Sequence, residues 1–150
     1  LANNTDQTGI ADQTYTKAQF IKANVDHAFD THNGWSDTDH AYTVPTGCGG
    51  YWFLNAWAEF DITSVQNIIA ISTGTTVSGT LANFLTRGVT GDNTNSAPNT
   101  APTIASIFFF NDGDSFHTQL YQNYGNSRTI LAPDTGQTYL RSGMQGWRLF

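Results

Sequence analysis

Residues 51–60 read Tyr51-Trp-Phe-Leu-Asn-Ala-Trp-Ala-Glu-Phe60, and two apolar patterns are interleaved in them. Successive side chains of a strand point to opposite faces. Trp52, Leu54, Ala56, Ala58 and Phe60 therefore share one face, and Tyr51, Phe53, Asn55, Trp57 and Glu59 the other. The first set is an uninterrupted core face. The second would be polar if water lay over it, as water commonly does on one side of an antiparallel sheet. Aromatic rings stand there instead. The stretch predicts a long strand covered on both sides, with the second cover supplied by another subunit.

Working outward, Tyr42-Thr-Val-Pro45 is a short extended piece and Thr46-Gly-Cys-Gly-Gly50 breaks it before the long strand begins. Further strands are predicted over Asn67–Ser72, Ser78–Arg87, Thr103–Phe110 and Ser115–Gln122, with a last one over Gly146–Phe150. Asn111-Asp-Gly-Asp114 joins two of them as a tight hairpin, because Asp-Gly suits the turn conformations that twisted strands demand. Gly88–Pro102, rich in Gly, Asn, Thr and Pro, reads as a long exposed loop. Segment 15–30 is ambiguous: Phe20, Ile21, Val25, Ala28 and Phe29 mark a helical stripe, while Val25 and Phe29 also fit a strand. Residues 1–19 are expected to be a flexible lead-in or the end of an upstream stalk, and 20–150 the folded domain. The start on Leu1 suggests a processed chain or an excised domain. Many short strands separated by turn clusters, with no internal repeat, indicate an all-β sandwich or barrel.

Composition narrows the function classes. The chain has 150 residues, enough for one core. Its 12% charged residues are outnumbered by 13% aromatics, and it holds only two lysines and one glutamate. Thr, Asn, Gln, Ser and Gly must do most of the solvating, a pattern suited to extracellular or virion-surface β proteins. A net charge of −6 argues against a protein that tracks nucleic-acid phosphates, which needs clustered Lys and Arg. No apolar run approaches the roughly 20 residues of a membrane-spanning helix, and no signal-peptide pattern opens the chain. Cys48 alone supports neither an intrachain disulfide framework nor a multi-cysteine zinc site.

The ordered pieces Val25-Asp-His-Ala-Phe-Asp30 with Trp35, Tyr42-Thr-Val-Pro45, Gly50-Tyr-Trp-Phe53 running into Ala56-Trp-Ala58, Ala105–Phe110 leading to Gly113-Asp114, and Ser142-Gly-Met-Gln-Gly-Trp-Arg-Leu-Phe150 carry a resemblance. Together they resemble the C1q/TNF-like globular domain, of the type found at the tips of bacteriophage or bacterial surface fibres. The resemblance spans about residues 20–150 and departs most over 60–104. It implies a jelly roll of about ten antiparallel strands, assembled as a homotrimer with inner-sheet aromatics around a threefold axis. On that reading Tyr51, Phe53 and Trp57 lie at the trimer interface, matching the two-faced strand. His117, alternating with Phe116 and Leu120, would face the axis, where three copies can hold an ion.

Other candidate chemistry is sparse. Asp37-Thr-Asp39 and Asp112-Gly-Asp114 are acidic pairs able to offer oxygens to Ca²⁺, although a calcium site wants six to eight of them. Asp112–Asp114 reads better as a hairpin turn. His27 and His32 lack the spacing of a helical zinc site, while His32, Asp37 and His40 converge only if their loop folds back. Glu59, with Asp61 two residues on, is a candidate carboxylate pair for glycoside hydrolysis, although Glu59 reads better as a buried polar group satisfied by a neighbouring subunit. No nucleophile elbow or phosphate-binding glycine loop occurs, and Cys48 has no neighbour in sequence that would activate it. Trp35, Asp37, Tyr121, Asn123 and Tyr124 combine flat rings with amides and a carboxylate, as sugar recognition requires, and Arg128 is suited to an acidic sugar. Arg141 and Arg148 are expected to pair with acids across subunits. The chain thus reads as a non-enzymatic, cofactor-free surface domain that attaches to a cell-surface glycan or receptor, with Ca²⁺ the one ion left open. A purely structural trimerising cap or capsid decoration is the alternative, and a glycan-active enzyme comes third.

Overall fold

A computed structural model describes residues 1–2, 5–22, 30–61, 66–74, 84–90, 101–132 and 141–150. Eleven strands occur among them: β1 (Gln7–Ile10), β2 (Thr16–Lys17), β3 (Trp35–Ser36), β4 (Ala41–Thr43), β5 (Gly50–Trp57), β6 (Asn67–Thr73), β7 (Phe84–Thr90), β8 (Thr103–Phe110), β9 (Ser115–Gln122), β10 (Arg128–Ile130) and β11 (Gly143–Arg148). One sheet has the order β11–β5–β8; a second has β3–β4–β9–β6–β7 with β2 also beside β9; β1 and β10 pair separately. The ladders between these strands are all antiparallel. Strands distant in sequence are thus neighbours in space, and the two larger sheets pack face to face as a jelly-roll sandwich.

Alternation along β5 sets the register of the first sheet. Gly50 opposes Phe110 and Trp57 opposes Thr103 on one side, while Trp57 opposes Gly143 and Trp52 opposes Arg148 on the other. Trp52, Leu54 and Ala56 point into the sandwich together with Ile104, Phe110 and Met144, and meet Ile69, Ile71, Phe116 and Leu120 of the second sheet. Ring contacts stitch the layers: Tyr42 lies 5.5 Å from Trp52 and Phe110 4.8 Å from Phe116, centroid to centroid. Gly146 lets β11 approach β5 closely, because a Cβ there would fall 2.5 Å from Leu54 Cδ2 and 3.0 Å from the Phe53 carbonyl.

The β8–β9 hairpin turns as its Asp-Gly pair predicts. Gly113 takes φ +83°, and Asp114 N–H donates to Asn111 O at 3.1 Å. Asp112 reaches back to the loop before β5, where its two carboxylate oxygens accept Gly47 N–H at 2.7 Å and Gly49 N–H at 2.6 Å. Those two backbone donors hold the Asp112 carboxyl below its ordinary pKa. Asp114 accepts Asn111 N–H. Both acids are therefore structural parts of the turn.

Several expectations need correction. Residues 1–19 are not an appendage: β1 joins β10, β2 joins β9, and Ala2, Ile10 and Ala18 are buried. Small polar residues hid these strands, yet their backbones complete sheet edges, with Ala18 N–H on Thr118 O and Gln13 N–H on Gln122 O. The last strand begins at Gly143 rather than Gly146. Residues 88–90 of the expected loop belong to β7. Residues 23–29, 78–83 and 91–100, and with them His27 and the rest of those expectations, lie outside the described residues.

Candidate functional site

Among the described residues, most of the exposed large apolar side chains stand on or beside the outward face of the three-stranded sheet. Register places Tyr51, Phe53, Asn55 and Trp57 of β5 beside Ala105, Ile107 and Phe109 of β8 and Gln145 and Trp147 of β11. None of these residues is charged. Tyr51 is 45% exposed, Ile107 55%, Phe109 59%, Trp147 50% and Phe150 76%. Tyr51 packs edge-on to Phe109 at 5.2 Å and meets Phe150 at 5.4 Å, and Phe53 lies 4.6 Å from Trp147. At ~150–250 Å² per large side chain, the five exposed residues leave on the order of 500 Å² of apolar surface. That is at the upper end of what monomeric proteins show to water. Tyr51, Phe53 and Trp57 stand on this face as β5's alternation predicts; Phe109, Ile107, Trp147 and Phe150 were not singled out by sequence.

His117 does not belong to that surface. It lies on β9, in the six-stranded sheet, and is fully buried. Nδ1 is 2.8 Å from Gly74 O and Nε2 is 2.9 Å from Gln119 Nε2. An amide NH₂ on one side and a carbonyl on the other specify a neutral ring that accepts at Nε2 and donates from Nδ1. Burial pushes its pKa below the usual histidine value, with the Gly74 bond opposing. Alternation correctly sets His117 opposite Phe116 and Leu120, but it does not say which sheet β9 joins.

A second cluster forms at the β9–β10 end. Gln122 organises the loop: its side-chain NH₂ donates to Ile10 O and Asn126 O, and its Oε1 accepts Tyr124 N–H at 2.7 Å. Asp12 accepts Gly125 N–H at 2.7 Å, where Gly125 has φ +93°. On this scaffold Tyr124 is 41% exposed, and the Arg128 guanidinium carbon lies 3.6 Å above its ring centroid. Arg128 Nε is itself buried and has no hydrogen-bond partner. Tyr121 packs on Tyr15 at 4.9 Å, and Asn123 Oδ1 accepts Gln66 N–H at 3.0 Å. Tyr121, Asn123, Tyr124 and Arg128 are thus brought to one end, with Tyr15, Asp12 and Gln122 as partners that sequence did not indicate.

Trp35 and Asp37 are not part of that cluster. Trp35 is buried in the core on β3, and its indole N–H donates to Asp37 Oδ1 at 2.9 Å. The same oxygen accepts Lys22 N–H at 2.8 Å. An Asn-Gly-Trp turn suggests exposure, but the ring turns inward because Asp37 satisfies its only polar atom. Asp39 is likewise tied to its own hairpin, accepting Ser36 Oγ–H at 2.9 Å. His32, Asp37 and His40 do not converge: among the described residues no three His, Cys, Asp or Glu gather as metal ligands. Glu59 is held by Arg141, whose Nε and Nη2 donate to its two oxygens at 2.9 and 2.6 Å. That partner lies within the chain rather than across subunits, and a carboxylate clamped by a guanidinium is poorly suited to acid–base work. Arg148 also stays within the chain, with Nη1 on Gly47 O at 3.2 Å.

Solved structures share this architecture. Murine APRIL at pH 8.0 is similar with a TM-score of 0.56 at 11% identity, over 95% of this chain and 95% of that one. The globular domain of zebrafish complement 1qA protein is similar with a TM-score of 0.53 at 6% identity, over 98% of both chains. The chain has the C1q/TNF-like fold. No family model matches its sequence, and no curated protein matches it either. At 6% and 11% identity the likeness is one of fold, and it assigns no role to any side chain of this chain. Among its described residues no helix is long and apolar enough to cross a membrane.

Proposed function

We propose that this C1q/TNF-like domain is a non-catalytic attachment module: three copies associate through the aromatic face of the β11–β5–β8 sheet, and the β9–β10 ends bind a cell-surface glycan. The exposed, uncharged face of Tyr51, Ile107, Phe109, Trp147 and Phe150 carries this reading. Its composition matches that of an interface core, aromatic and free of charge. Threefold closure follows the resemblance to the fold family, and a dimer or a monomer is an outcome of the test. Three shallow sites on one rigid body gain avidity. The proposed setting is extracellular, at the tip of a virion or bacterial surface fibre, in keeping with the low surface charge. No metal is required.

Tyr124 offers a ring for the C–H face of a sugar. Arg128, stacked on it, carries a guanidinium suited to sugar hydroxyls or to a sugar carboxylate. A glycan array probed with the assembled protein tests the reading. Tyr124→Ala and Arg128→Ala are each expected to weaken binding about tenfold, the equivalent of ~1.4 kcal/mol, with solution mass and Tm unchanged. No binding to any array glycan or cell surface refutes attachment. Assembly without a ligand would instead favour the structural role of a trimerising cap.

A further inference from the structure

Asn55 breaks the run of rings that β5 turns outward: Tyr51 and Phe53 precede it and Trp57 follows. β5 is the middle strand of its sheet, and the register sets Asn55 between Ala105 of β8 and Gln145 of β11. It therefore stands near the centre of the uncharged face. Its side chain is half-buried, and its Oδ1 is buried with no hydrogen-bond partner among the described residues. A buried acceptor left unpaired keeps the cost of lost hydration with nothing in return. Ala105 has no donor to offer, and Gln145, exposed beside it, does not supply one.

The face has the size to receive a second copy. Its exposed apolar surface, on the order of 500 Å², is about the apolar share of a standard interface, which takes roughly 800 Å² from each partner at roughly 60% apolar. Threefold closure makes every copy give and receive the same contact. A side chain shared around such an axis must donate to one neighbour and accept from the other. A carboxylate only accepts and an ammonium only donates, whereas a carboxamide does both. The last torsion of asparagine is broad, so the Asn55 amide can turn to present both groups.

We infer that the three Asn55 side chains meet on the threefold axis and close a ring, Nδ2–H of each copy donating to Oδ1 of the next. The inference rests on the self-association proposed above and makes Asn55 its positioning residue. Apolar rings attract one another in many orientations, while a buried amide is satisfied in few. A single buried asparagine sets register and copy number in coiled coils for the same reason.

Asn55→Cys tests the placement. A disulfide needs Cα atoms within about 7 Å of each other, so a cysteine joins its own counterpart in a trimer only near the axis. Oxidised glutathione is the oxidant: two thiols give up their hydrogens to form the disulfide, and two molecules of reduced glutathione are released. Covalent dimers are expected on a non-reducing gel, levelling off at two of every three chains because the third thiol has no counterpart left. Gln145→Cys, one strand over, should stay at one chain mass, as should the parent, whose Cys48 is buried. Asn55→Leu keeps the bulk and removes both hydrogen-bonding groups. It should still associate, but as trimers mixed with larger species in sedimentation velocity. A parent protein that is not trimeric overturns the face reading and the ring together. A trimeric parent whose Asn55→Cys variant forms no cross-link overturns the ring alone. An Asn55→Leu protein that sediments as trimers only overturns the positioning role.

Discussion

Phe109→Asp separates assembly from folding. Phe109 is 59% exposed and touches Tyr51 edge-on, so in one chain it stands largely in water. Covering the exposed part of a ring of ~200 Å² removes about 120 Å² from solvent. At ~25 cal/mol per Å² this is worth about 3 kcal/mol per chain. A threefold assembly loses that contribution three times, on the order of 9 kcal/mol, or more than a millionfold in the overall association constant. The new carboxylates must in addition be desolvated on an uncharged face. The monomer should scarcely notice, because substitutions of exposed side chains usually stay within about 0.5 kcal/mol. The contrasting change is Leu54→Ala, one position from Phe53 on the opposite face of β5: Leu54 is buried, and its truncation should cost about 3 kcal/mol of folding stability. Sedimentation velocity from low to high micromolar concentration, with thermal melts alongside, reads both. A Phe109→Asp protein that sediments like the parent refutes the interface. One that melts far lower shows that Phe109 belongs to the monomer's own core.

Gly146→Val should destabilise the fold by about 3 kcal/mol or more in chemical denaturation, since the branched side chain must displace Leu54 or the Phe53 carbonyl. Arg141→Met should cost roughly 1–3 kcal/mol by removing two charge-assisted hydrogen bonds from the largely buried Glu59 carboxylate; the double variant Arg141→Met with Glu59→Gln should recover much of that loss in the same assay. His117 has a lowered pKa in the fold, so the unfolded chain binds its proton first. Its contribution is therefore present above the unfolded value near 6.5 and is lost as pH falls below it. Replacing His117 with Gln should flatten that limb of stability against pH, measured by urea midpoints on either side of pH 6.5.

The sequence made β5, β8 and β9 legible because strict alternation and an Asp-Gly turn fix both face and length; Thr103–Phe110 and Ser115–Gln122 are the strands expected. It also made the second aromatic face legible, since Tyr51, Phe53 and Trp57 contradict a solvated surface. The short strands β1, β2 and β10 were hidden because their pairing is long-range: Thr16 opposes Leu120, and Gln7 opposes Ile130. β3 pairs locally, Trp35 with Tyr42, but two residues are too few to show alternation. The Glu59–Arg141 pair, 82 positions apart, has no local signature. Trp35 misled because turn chemistry around it suggests exposure, whereas a nearby acceptor decides where an indole can go. At the candidate glycan site the rings and Arg128 were readable, but Gln122, which holds their loop, looked like one more polar strand residue.

The central claim is that three copies of this chain associate through the β11–β5–β8 face. Sedimentation equilibrium of the unmodified protein tests it most directly. Three times the 16.4 kDa chain mass at micromolar concentration is the expected result. A species of one chain mass, or a stable dimer, contradicts it.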